Sequence, residues 1–405
     1  MNQITKKHLV LLAGIIISSC VVSGYAQPAK KGAQSKNDYY VAAYIWPSCH
    51  DDPKARKHVW PEGIGEWEVI KKGNPRYKGH YQPKVPLWGY EMDNDPKVVK
   101  KWIDAAVEHG VNVFIYDWYW YNKAPFLESA LNDGFLKAEN NKKMYFYLMW
   151  ANHDMPLNLI NVHKKQDDNS LFWDAAVDFE DFKTVVARVI KQYFQKPNYF
   201  KINGKPVFAI FDLDKLLQSF GRSTEETRKA LNYFREEAKK AGFPGVHFLW
   251  NPSGNWLRTV EQTKKDVDII KAIGFNSITT YNMEGMAEDY IEYGTQSINI
   301  WKQWDEALST LNIPYFPCVS VGWDNTPRFP QIGMESTVHY NNTPQSFAAM
   351  LSKAKKYADS HPNQPKLITI NAWNEWVEGS YLLPDMKYGF SYLEAVKEVM
   401  SGKYD

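Results

Sequence analysis

The sequence predicts an α/β protein folded as a single (β/α)8 TIM barrel with a long insertion after the first strand. Short runs rich in β-branched and aromatic residues alternate eight times with amphipathic stretches along the 405 residues. Polar and aromatic side chains gather directly after these runs, as they do on one rim of a barrel. A doubly wound open sheet is the alternative, but no Gly-x-Gly-x-x-Gly turn follows the first run.

The eight runs predict strands at Tyr39–Trp46, Val111–Trp118, Met144–Trp150, Val207–Phe211, Val246–Trp250, Ser277–Tyr281, Phe316–Val321 and Leu367–Asn371. Between them, apolar residues recur at spacings of three and four, the period of an amphipathic helix. The clearest helices are predicted at Val98–His109, Phe182–Tyr193, Thr224–Ala241, Ile298–Leu311 and Phe347–His361. Gly110 and Gly242 follow two of them, where a left-handed residue commonly ends a helix.

Residues 1–26 have the pattern of a secretory signal peptide, because two lysines precede an apolar run from Leu9 to Ile17 and small residues follow it. Cleavage after Ala26 is favoured, since apolar residues continue beyond Cys20. Lipoprotein processing, which would leave Cys20 acylated as a lipid anchor, is the alternative. The run is too short for a transmembrane span. We therefore expect an exported protein that is periplasmic, at the cell surface or secreted.

A polar linker is predicted over residues 27–38 and one catalytic domain over residues 39–405. The 48 basic and 46 acidic side chains give a net charge of +2, which offers no argument for binding nucleic acid or an anionic membrane. Beyond the leader, Cys49 and Cys318 are too few for a disulfide framework, and no Cys/His spacing resembles a zinc site. We expect a monomer that needs no metal or cofactor.

The segment after the last predicted strand carries the clearest chemistry. There Glu375 and Glu378 stand three residues apart, with Asn374 and Trp376 beside them. Paired carboxyl groups next to flat rings suit cleavage of a glycosidic bond, since one handles the leaving-group proton and the other assists at the sugar. Solvated acids at an ordinary strand end are the alternative. We predict that Glu375 and Glu378 are catalytic and that Asn374 and Trp376 contact the substrate.

Further residues at strand ends, or in the long loop after the first strand, are predicted to contact an oligosaccharide or polysaccharide. They are Tyr44, Trp46, His80, Gln82, Asp117, Trp118, Tyr119, Trp150, Asn152, Tyr281, Trp323 and Asp324. Some have structural alternatives. Asp117 would bond to the backbone from a buried position, Asn152 would cap a turn, and Tyr281 would pack within the rim. Asp324 would form a pair with Arg328.

Several segments of the chain form a recognisable set. They are Gly65-Glu66-Trp67, Gly79-His80-Tyr81-Gln82-Pro83, Trp150-Ala151-Asn152, Gly322-Trp323-Asp324-Asn325-Thr326-Pro327-Arg328 and Trp373-Asn374-Glu375-Trp376-Val377-Glu378-Gly379. Together they resemble the WbsX-like branch of the glycoside hydrolase family 99-like proteins. The likeness extends from about Tyr39 to the end of the chain, and its closing glutamate motif is the most specific part.

The resemblance implies a (β/α)8 barrel, no metal, and action on α-linked sugars, as in endo-α-mannosidases and endo-α-mannanases. It implies that Glu375 deprotonates the substrate 2-hydroxyl, which displaces the aglycone through a 1,2-anhydro sugar with retained stereochemistry. Glu378 would be the general acid and then the general base. Val377 stands where family 99 commonly has histidine, and His153 where WbsX-like chains usually have glutamate. Both departures bear on the substrate more than on the reaction class.

The leading hypothesis is therefore an exported, retaining glycoside hydrolase. A barrel that binds glycans without turnover is a second hypothesis, against which the presence of both Glu375 and Glu378 counts. Glycosyl transfer is a third, since WbsX-like proteins are often found with surface-polysaccharide synthesis. The leader argues against transfer because nucleotide-sugar donors are cytoplasmic, and no phosphate-cradling loop is evident.

Overall fold

The computed structural model describes residues 39–156, 171–253, 260–283, 290–294, 308–328 and 338–404. At its centre run eight parallel strands: β1 (Tyr40–Ile45), β2 (Val113–Tyr121), β3 (Tyr145–Trp150), β4 (Lys205–Ile210), β5 (His247–Trp250), β6 (Ser277–Ile278), β7 (Cys318–Ser320) and β8 (Leu367–Asn371). Each of them overlaps one of the predicted strands. They are almost wholly buried, which explains why they read as continuous apolar runs.

Hydrogen bonds order the strands β6-β5-β4-β3-β2-β1-β8-β7. The two edges of this sheet meet where Ile278 of β6 forms a parallel bridge to Tyr315, just before β7. The Ile278 amide donates to the carbonyl of Pro314 at 2.9 Å. Strand neighbours thus follow chain order around a closed ring, which is the topology of a (β/α)8 barrel. The barrel prediction is confirmed, and the open sheet, whose strand order would reverse at a switch point, is wrong.

The helices are α1 (Pro53–His58), α2 (Trp67–Ile70), α3 (Pro96–Glu108), α4 (Phe179–Val189), α5 (Leu213–Ser219), α6 (Thr224–Lys240), α7 (Val260–Ile273), α8 (Pro344–Ser360) and α9 (Ser391–Met400). Four of the five predicted helices are confirmed as α3, α4, α6 and α8. Most of the fifth, Ile298–Leu311, lies outside the described residues. Their ends follow local chemistry: Asp95 accepts the Lys97 amide at 2.8 Å at the start of α3, and Gly110 beyond its end has φ +91°.

Shorter elements lie around the barrel. Strand pairs are formed by Ala124–Phe126 with β2, Met155–Pro156 with Leu171–Trp173, Lys201–Ile202 with β4, Tyr290–Glu292 with Val338–Tyr340, and Asn374–Glu375 with Ser380–Tyr381. Single helical turns span Ala130–Phe135, Asn141–Lys143, Ile190–Phe194 and Trp376–Glu378. The pair Asn374–Glu375 and Ser380–Tyr381, with the turn Trp376–Glu378 between its strands, follows β8 directly. It is called the catalytic turn below because it carries Glu375 and Glu378, the two residues predicted to be catalytic.

The long insertion after β1 contains α1 and α2 and packs against the catalytic turn. The indole rings of Trp67 in α2 and Trp376 in the turn lie 6.0 Å apart between centroids. Trp60, Trp67 and Ile70 are buried, so this segment has its own apolar interior. The insertion is therefore a fixed wall beside the end of β8.

The predicted signal peptide and linker lie outside the described residues. Within the described part of the chain, no helix combines the length and apolarity needed to cross a membrane. Cys49 and Cys318 are buried free thiols. Cys318 lies within β7 and is fully buried, as expected for a small core residue.

Candidate active site

A cavity of about 380 Å³ opens at the carboxyl ends of the strands. Every strand contributes to its wall, either from its last residues or from the loop that follows. The contributing residues, in chain order, are Trp46, Asp117, Tyr119, Met149, Ala151, His153, Phe211, Ser253, Tyr281, Asn282, Trp323, Asn325, Arg328, Glu375 and Glu378. This is the rim at which active sites of (β/α)8 barrels form.

The catalytic turn places Glu375 and Glu378 on the same cavity wall. Gly379 closes the turn with φ +64°, and a Cβ atom there would lie 2.8 Å from the Asp324 side chain. A glycine is therefore needed for this close approach. The Asp324 amide donates to the carbonyl oxygen of Glu378 at 2.6 Å, which ties the turn to the loop after β7.

Arg328 joins the two glutamates to a third. Its Nη1 lies 2.7 Å from Glu378 Oε1, and its Nη2 lies 3.7 Å from Glu375 Oε1 and 3.3 Å from Glu66 Oε1. These carboxyl groups are nearly buried, with 14%, 3% and 4% of their side chains exposed. One guanidinium thus faces three carboxyl groups, which would leave two net negative charges if all three were ionised.

A second chain of contacts reaches Glu375 from β2. The Tyr281 hydroxyl lies 3.0 Å from Asp117 Oδ2 and 3.3 Å from Glu375 Oε2. A hydroxyl has one proton to donate and can also accept. Tyr281 can therefore donate to Glu375 while a protonated Asp117 donates to Tyr281, or donate to Asp117 while a protonated Glu375 donates to it.

Burial raises the pKa of Glu375 well above its ordinary value, and repulsion from Glu378 adds to the rise while Arg328 opposes it. Burial also raises the pKa of Glu378, against the nearby Arg328 charge. The pKa of Asp117 is raised well above its usual range by burial, opposed by the Tyr281 hydrogen bond. Closely spaced buried acids do not all ionise at neutral pH. Burial and mutual repulsion therefore favour the protonated forms of these carboxyl groups.

His153 lines the same cavity from the loop after β3. Burial lowers its pKa, and its Nδ1 lies 2.9 Å from the carbonyl oxygen of Asp154. A carbonyl can only accept, so Nδ1 carries the hydrogen and the neutral ring presents Nε2 as an acceptor. His153 thus has a ring nitrogen that can accept a hydrogen bond.

Of the residues predicted for the site, seven line the cavity: Trp46, Asp117, Tyr119, Tyr281, Trp323, Glu375 and Glu378. The Asp117 side chain contacts the Tyr281 hydroxyl. This contact differs from its predicted structural alternative, which was a hydrogen bond to the backbone. Trp46 and Tyr119 meet edge to face with 5.5 Å between ring centroids. Such ring surfaces suit the C–H faces of a sugar.

Three predicted tryptophans face away from the cavity. Trp118 lies on the opposite face of β2 from Asp117, and its indole nitrogen donates to Glu128 at 2.9 Å. Trp150 is on the outer face of β3 and stacks near Phe182. Their placement follows from the alternation of side chains along a strand. Trp376 stacks on Tyr381 inside the catalytic turn at 3.8 Å between centroids.

Three predicted residues lie outside the cavity wall and form hydrogen bonds within the surrounding structure: Tyr44, Asn152 and Asn374. The Tyr44 hydroxyl donates to Asn251 Oδ1 at 3.0 Å inside the barrel. Asn152 forms two hydrogen bonds, both 2.8 Å long, with the backbone of Asp212 after β4, and these differ from its predicted alternative, a cap of the turn that follows it. Asn374 bonds in the same way to the amide and carbonyl of Trp46 at 2.9 and 2.8 Å. It therefore fixes the catalytic turn to the end of β1.

His80, Gln82 and Asp324 form a buried cluster beneath the turn. Asp324 Oδ2 lies 2.9 Å from His80 Nε2, 2.7 Å from Gln82 Nε2 and 3.2 Å from Lys84 Nζ. The expected pairing of Asp324 with Arg328 is wrong, because Lys84 supplies the cation for Asp324 while Arg328 turns toward the three glutamates. The cluster connects the insertion to the loop after β7.

The sequence interpretation did not single out Glu66 or Arg328 as site residues. Both residues lie in segments that carry the family resemblance, Glu66 in Gly65-Glu66-Trp67 and Arg328 in the segment that ends Thr326-Pro327-Arg328. Their presence in these segments is the feature of the sequence that could have indicated a role in the site. Glu66 and Arg328 are 262 positions apart in the sequence, and local patterns do not encode contacts at that separation. A smaller cavity of about 80 Å³ adjoins the first through Trp46, His153 and Arg328, with Glu66 on its wall.

Among the described residues, no group of three or more His, Cys, Asp and Glu side chains has the arrangement of a metal site. The recorded contacts of the cavity acids are instead with Arg328, Tyr281, Trp46 and Ser48. The carboxyl groups of this site can exchange protons with a ligand that packs against the aromatic rings of the cavity.

The family model described as "Glycosyltransferase WbsX" matches residues 41–396. The protein named "Uncharacterized protein WxcX" from Xanthomonas campestris pv. campestris is 22% identical over 373 residues in strain B100. That match covers 89% of this chain and 49% of the relative, so the chain spans about half the length of the curated relatives it matches. The match from a second strain of the same pathovar is of similar extent.

Solved structures of low sequence identity share the fold. The GH99 endo-α-mannosidase from Bacteroides thetaiotaomicron superimposes with a TM-score of 0.55 at 15% identity, over 90% of this chain and 97% of that one. A protein described as "Glycoside hydrolase-like protein" gives a TM-score of 0.56 at 15% identity, over 91% and 95% of the two chains. The resemblance drawn from the sequence motifs is confirmed at the level of family and fold.

Proposed function

This chain belongs to the WbsX family, and on that premise we propose that it is an exported, retaining glycoside hydrolase acting on α-linked sugars of a polysaccharide or glycan. The observation that carries the proposal is the placement of Glu375 and Glu378 on one wall of an open, ring-lined cavity. Paired carboxyl groups in such a cavity match the demands of glycosidic bond cleavage. The aromatic rings of Trp46, Tyr119 and Trp323 supply surfaces for sugar rings.

The proposed reaction has two steps. First, Glu375 takes the proton of the substrate 2-hydroxyl, whose oxygen bonds to C1 while the bond from C1 to the leaving oxygen breaks. Glu378 gives its proton to that oxygen. In the second step Glu378 takes a proton from water as the water oxygen bonds to C1. The bond from C1 to O2 breaks, O2 recovers its proton from Glu375, and two inversions give net retention.

These roles require a particular proton position. In the unliganded protein Arg328 lies closer to Glu378 than to Glu375, so the ionised form of Glu378 is the better stabilised of the two. The first step instead needs an ionised Glu375 and a protonated Glu378. Protonated Asp117, acting through the Tyr281 hydroxyl, would stabilise ionised Glu375. Substrate binding must therefore shift the shared proton toward Glu378.

The test is incubation of the purified protein with a panel of α-linked oligosaccharides, including mannosides and rhamnosides, followed by chromatography of the products. We expect cleavage by the wild type and by Glu398→Gln, which changes an exposed glutamate on α9. Cleavage should be lost in Glu375→Gln and Glu378→Gln. A bound oligosaccharide that no preparation cleaves would instead favour a glycan-binding barrel.

Glycosyl transfer is the second candidate, and the description of the family model favours it. The charges at the cavity argue against glycosyl transfer. Arg328 is the one Lys or Arg on the part of the wall that the structure describes, and it already faces three carboxyl groups. A nucleoside diphosphate donor carries negative charge that such a site repels. Transfer from a nucleotide sugar to an oligosaccharide acceptor, without hydrolysis of α-linked glycans, would establish this alternative.

A further inference from the structure

Glu66 is a nearly buried carboxyl group that the insertion delivers to the active site. Its Oε2 accepts hydrogen bonds from the Trp46 indole nitrogen and, at 3.0 Å, from the Ser48 hydroxyl, while Oε1 lies 3.3 Å from Arg328 Nη2. All of these partners donate. Glu66 is thus held as a hydrogen-bond acceptor, the arrangement that suits its charged form.

The backbone also fixes this position. Gly65 has φ +60°, and a Cβ atom there would lie 2.1 Å from the carbonyl oxygen of Ser48. That same carbonyl accepts the Glu66 amide at 2.9 Å. A side chain at residue 65 is therefore excluded, and the tight turn directs Glu66 toward Arg328. Gly65 and the hydrogen bond to Ser48 therefore fix the position of the Glu66 carboxyl group.

Glu66 competes with the catalytic pair for the guanidinium. Arg328 Nη2 lies between Glu66 at 3.3 Å and Glu375 at 3.7 Å, while Nη1 contacts Glu378 at 2.7 Å. If Glu66 lost its charge, the attraction that draws Nη2 toward the insertion would weaken. The positive charge would then act more fully on the two catalytic carboxyl groups.

Other groups facing this cluster come from every element around it. They are Cys49 after β1, Asp117 and Tyr119 of β2, His153 after β3, Tyr281 after β6, Arg328 after β7, and Glu375 and Glu378 after β8. Arg328 is the one Lys or Arg on the part of the cavity wall that the structure describes, so removal of one negative charge from the insertion makes the potential at Glu375 and Glu378 more positive.

We propose that Glu66 is a positioning residue that divides the charge of Arg328, so that the catalytic pair keeps its shared proton at neutral pH. The inference rests on the proposed hydrolase function and adds to it a residue outside the glutamate motif. It also gives the long insertion a role in the chemistry. Glu66 contacts Arg328, Trp46 and Ser48, and acts on the pair only through the guanidinium and its own charge.

The sign of the effect can be worked out. The charge of Glu66 raises the pKa of both Glu375 and Glu378. Its removal in Glu66→Gln lowers both pKa values, so the general acid loses its proton at a lower pH. The basic limb of the pH–rate profile is expected to move down by about 1 pH unit, and the acidic limb should move in the same direction.

The experiment compares pH–rate profiles of the wild type, Glu66→Gln and Glu68→Gln. Glu68 is a matched control because it is buried in the same insertion, in the first turn of α2, and accepts the Glu62 amide at 2.7 Å. The carboxyl groups paired with Arg328 are those of Glu66, Glu375 and Glu378. Its variant carries a similar risk to folding but should keep the wild-type pH limbs. Glu66→Asp, which withdraws the charge from Arg328 by one methylene, should shift the limbs less and serves if Glu66→Gln does not fold.

A second readout does not depend on turnover. Carboxyl carbons of 13C-glutamate-labelled protein can be titrated by NMR, with Glu375→Gln and Glu378→Gln used for assignment. We expect lower titration midpoints for the catalytic pair in Glu66→Gln and unchanged ones in Glu68→Gln. Unchanged midpoints in a folded Glu66→Gln protein would overturn the proposal. Shifted midpoints in a protein that cleaves no glycan would uphold the electrostatic role and reject the hydrolase.

Discussion

At the scale of single residues, the site is governed by an imbalance of charge. Arg328 faces Glu66, Glu375 and Glu378, and Asp117 reaches Glu375 through the Tyr281 hydroxyl. Burial raises the pKa values of Asp117, Glu375 and Glu378, and repulsion between the two glutamates raises that of Glu375 further, so their protonated forms are favoured. A general acid and a general base can therefore coexist within one small cavity, which is the basis of the proposed chemistry.

Glu375→Gln and Glu378→Gln each remove a proton-transfer group while keeping the size of the side chain and one of its acceptor oxygens. We expect kcat to fall by about 10²–10⁴-fold in each variant, the usual contribution of general acid–base catalysis. Oligosaccharide binding, measured by calorimetry, should remain within a few-fold of wild type. Near-normal turnover in both variants would contradict the assignment.

The proton shift on substrate binding predicts a difference between two pH profiles. The profile of kcat/KM reports the free protein and that of kcat reports the complex. Because the raised pKa values favour protonation, activity should persist above the ordinary glutamate range of about 4.3 and fall as the acid ionises. We expect the basic limb of kcat to lie at higher pH than that of kcat/KM. Basic limbs of kcat and kcat/KM at the same pH would mean that substrate binding does not shift the proton from Glu375 to Glu378.

Residue-level interpretation of the sequence located the glutamate pair because both acids lie in one local motif. It assigned Trp118 and Trp150 to the substrate, whereas strand alternation turns them outward. Reading the pleat from Asp117 would have separated Trp118 from the cavity side. Arg328 and Glu66 could not be paired from sequence, because no local period relates residues so far apart in the chain.

At the scale of elements, the insertion after β1 and the loop after β7 together hold the catalytic turn. Asp324 accepts from His80 and Gln82, pairs with Lys84 and donates its amide to Glu378. Burial alone would raise the Asp324 pKa, but Lys84 and His80 hold it well below the usual range. The cluster therefore connects folding of the insertion to the position of the general acid.

Asp324→Asn is expected to destabilise the protein at neutral pH by about 3–5 kcal/mol, because it leaves Lys84 buried without its partner. The depressed pKa means that the wild type has this contribution above about pH 4 and loses it as the pH falls further. The difference between variant and wild type should narrow in acid. Denaturant unfolding at pH 7 and at low pH measures both effects.

The control for this prediction is Asp359→Asn. Asp359 pairs with Lys355 and Lys366 on the surface, with 37% of its side chain exposed. Such exposed pairs contribute about 0–1 kcal/mol, so this variant should unfold close to wild type. Equal losses in the two variants would show that Asp324 has no special anchoring role. A loss of kcat beyond the loss of stability would support its link to Glu378.

Elements were more predictable than contacts. Each barrel strand was located because a buried parallel strand gives a continuous apolar run. Two strands are shorter than predicted by three residues: β6 covers Ser277–Ile278 rather than Ser277–Tyr281, and β7 covers Cys318–Ser320 rather than Phe316–Val321. The barrel closes between them through one bridge, so few ladder bonds form there. Strand length depends on the partner strand, which a local pattern does not report.

At the scale of the whole molecule, a closed barrel brings eight separate strand ends to one rim, so residues from Trp46 to Glu378 share a cavity. The fold follows from this topology, and the family follows from the family model that matches residues 41–396. Substrate and location do not, since barrels of this kind support many chemistries. They remain proposals that depend on the glutamate pair and on the N-terminal pattern.

Processing of the N-terminus is a prediction for the full-length chain. Expressed in a bacterial host with its own leader, the protein should be exported and should begin at Gln27 after cleavage following Ala26. Mass spectrometry of the intact protein measures this directly. A mature chain that begins at acylated Cys20 would establish the lipoprotein route, and an uncleaved chain in the cytoplasm would reject export.

The central claim is that Glu375 and Glu378 act together from one cavity to cleave an α-linkage with retention. Proton NMR of the anomeric signals during cleavage of an α-linked oligosaccharide tests it most directly. The account predicts that the first product released is the α-anomer, which then mutarotates. Initial release of the β-anomer, or no release from any α-linked glycan, would contradict it.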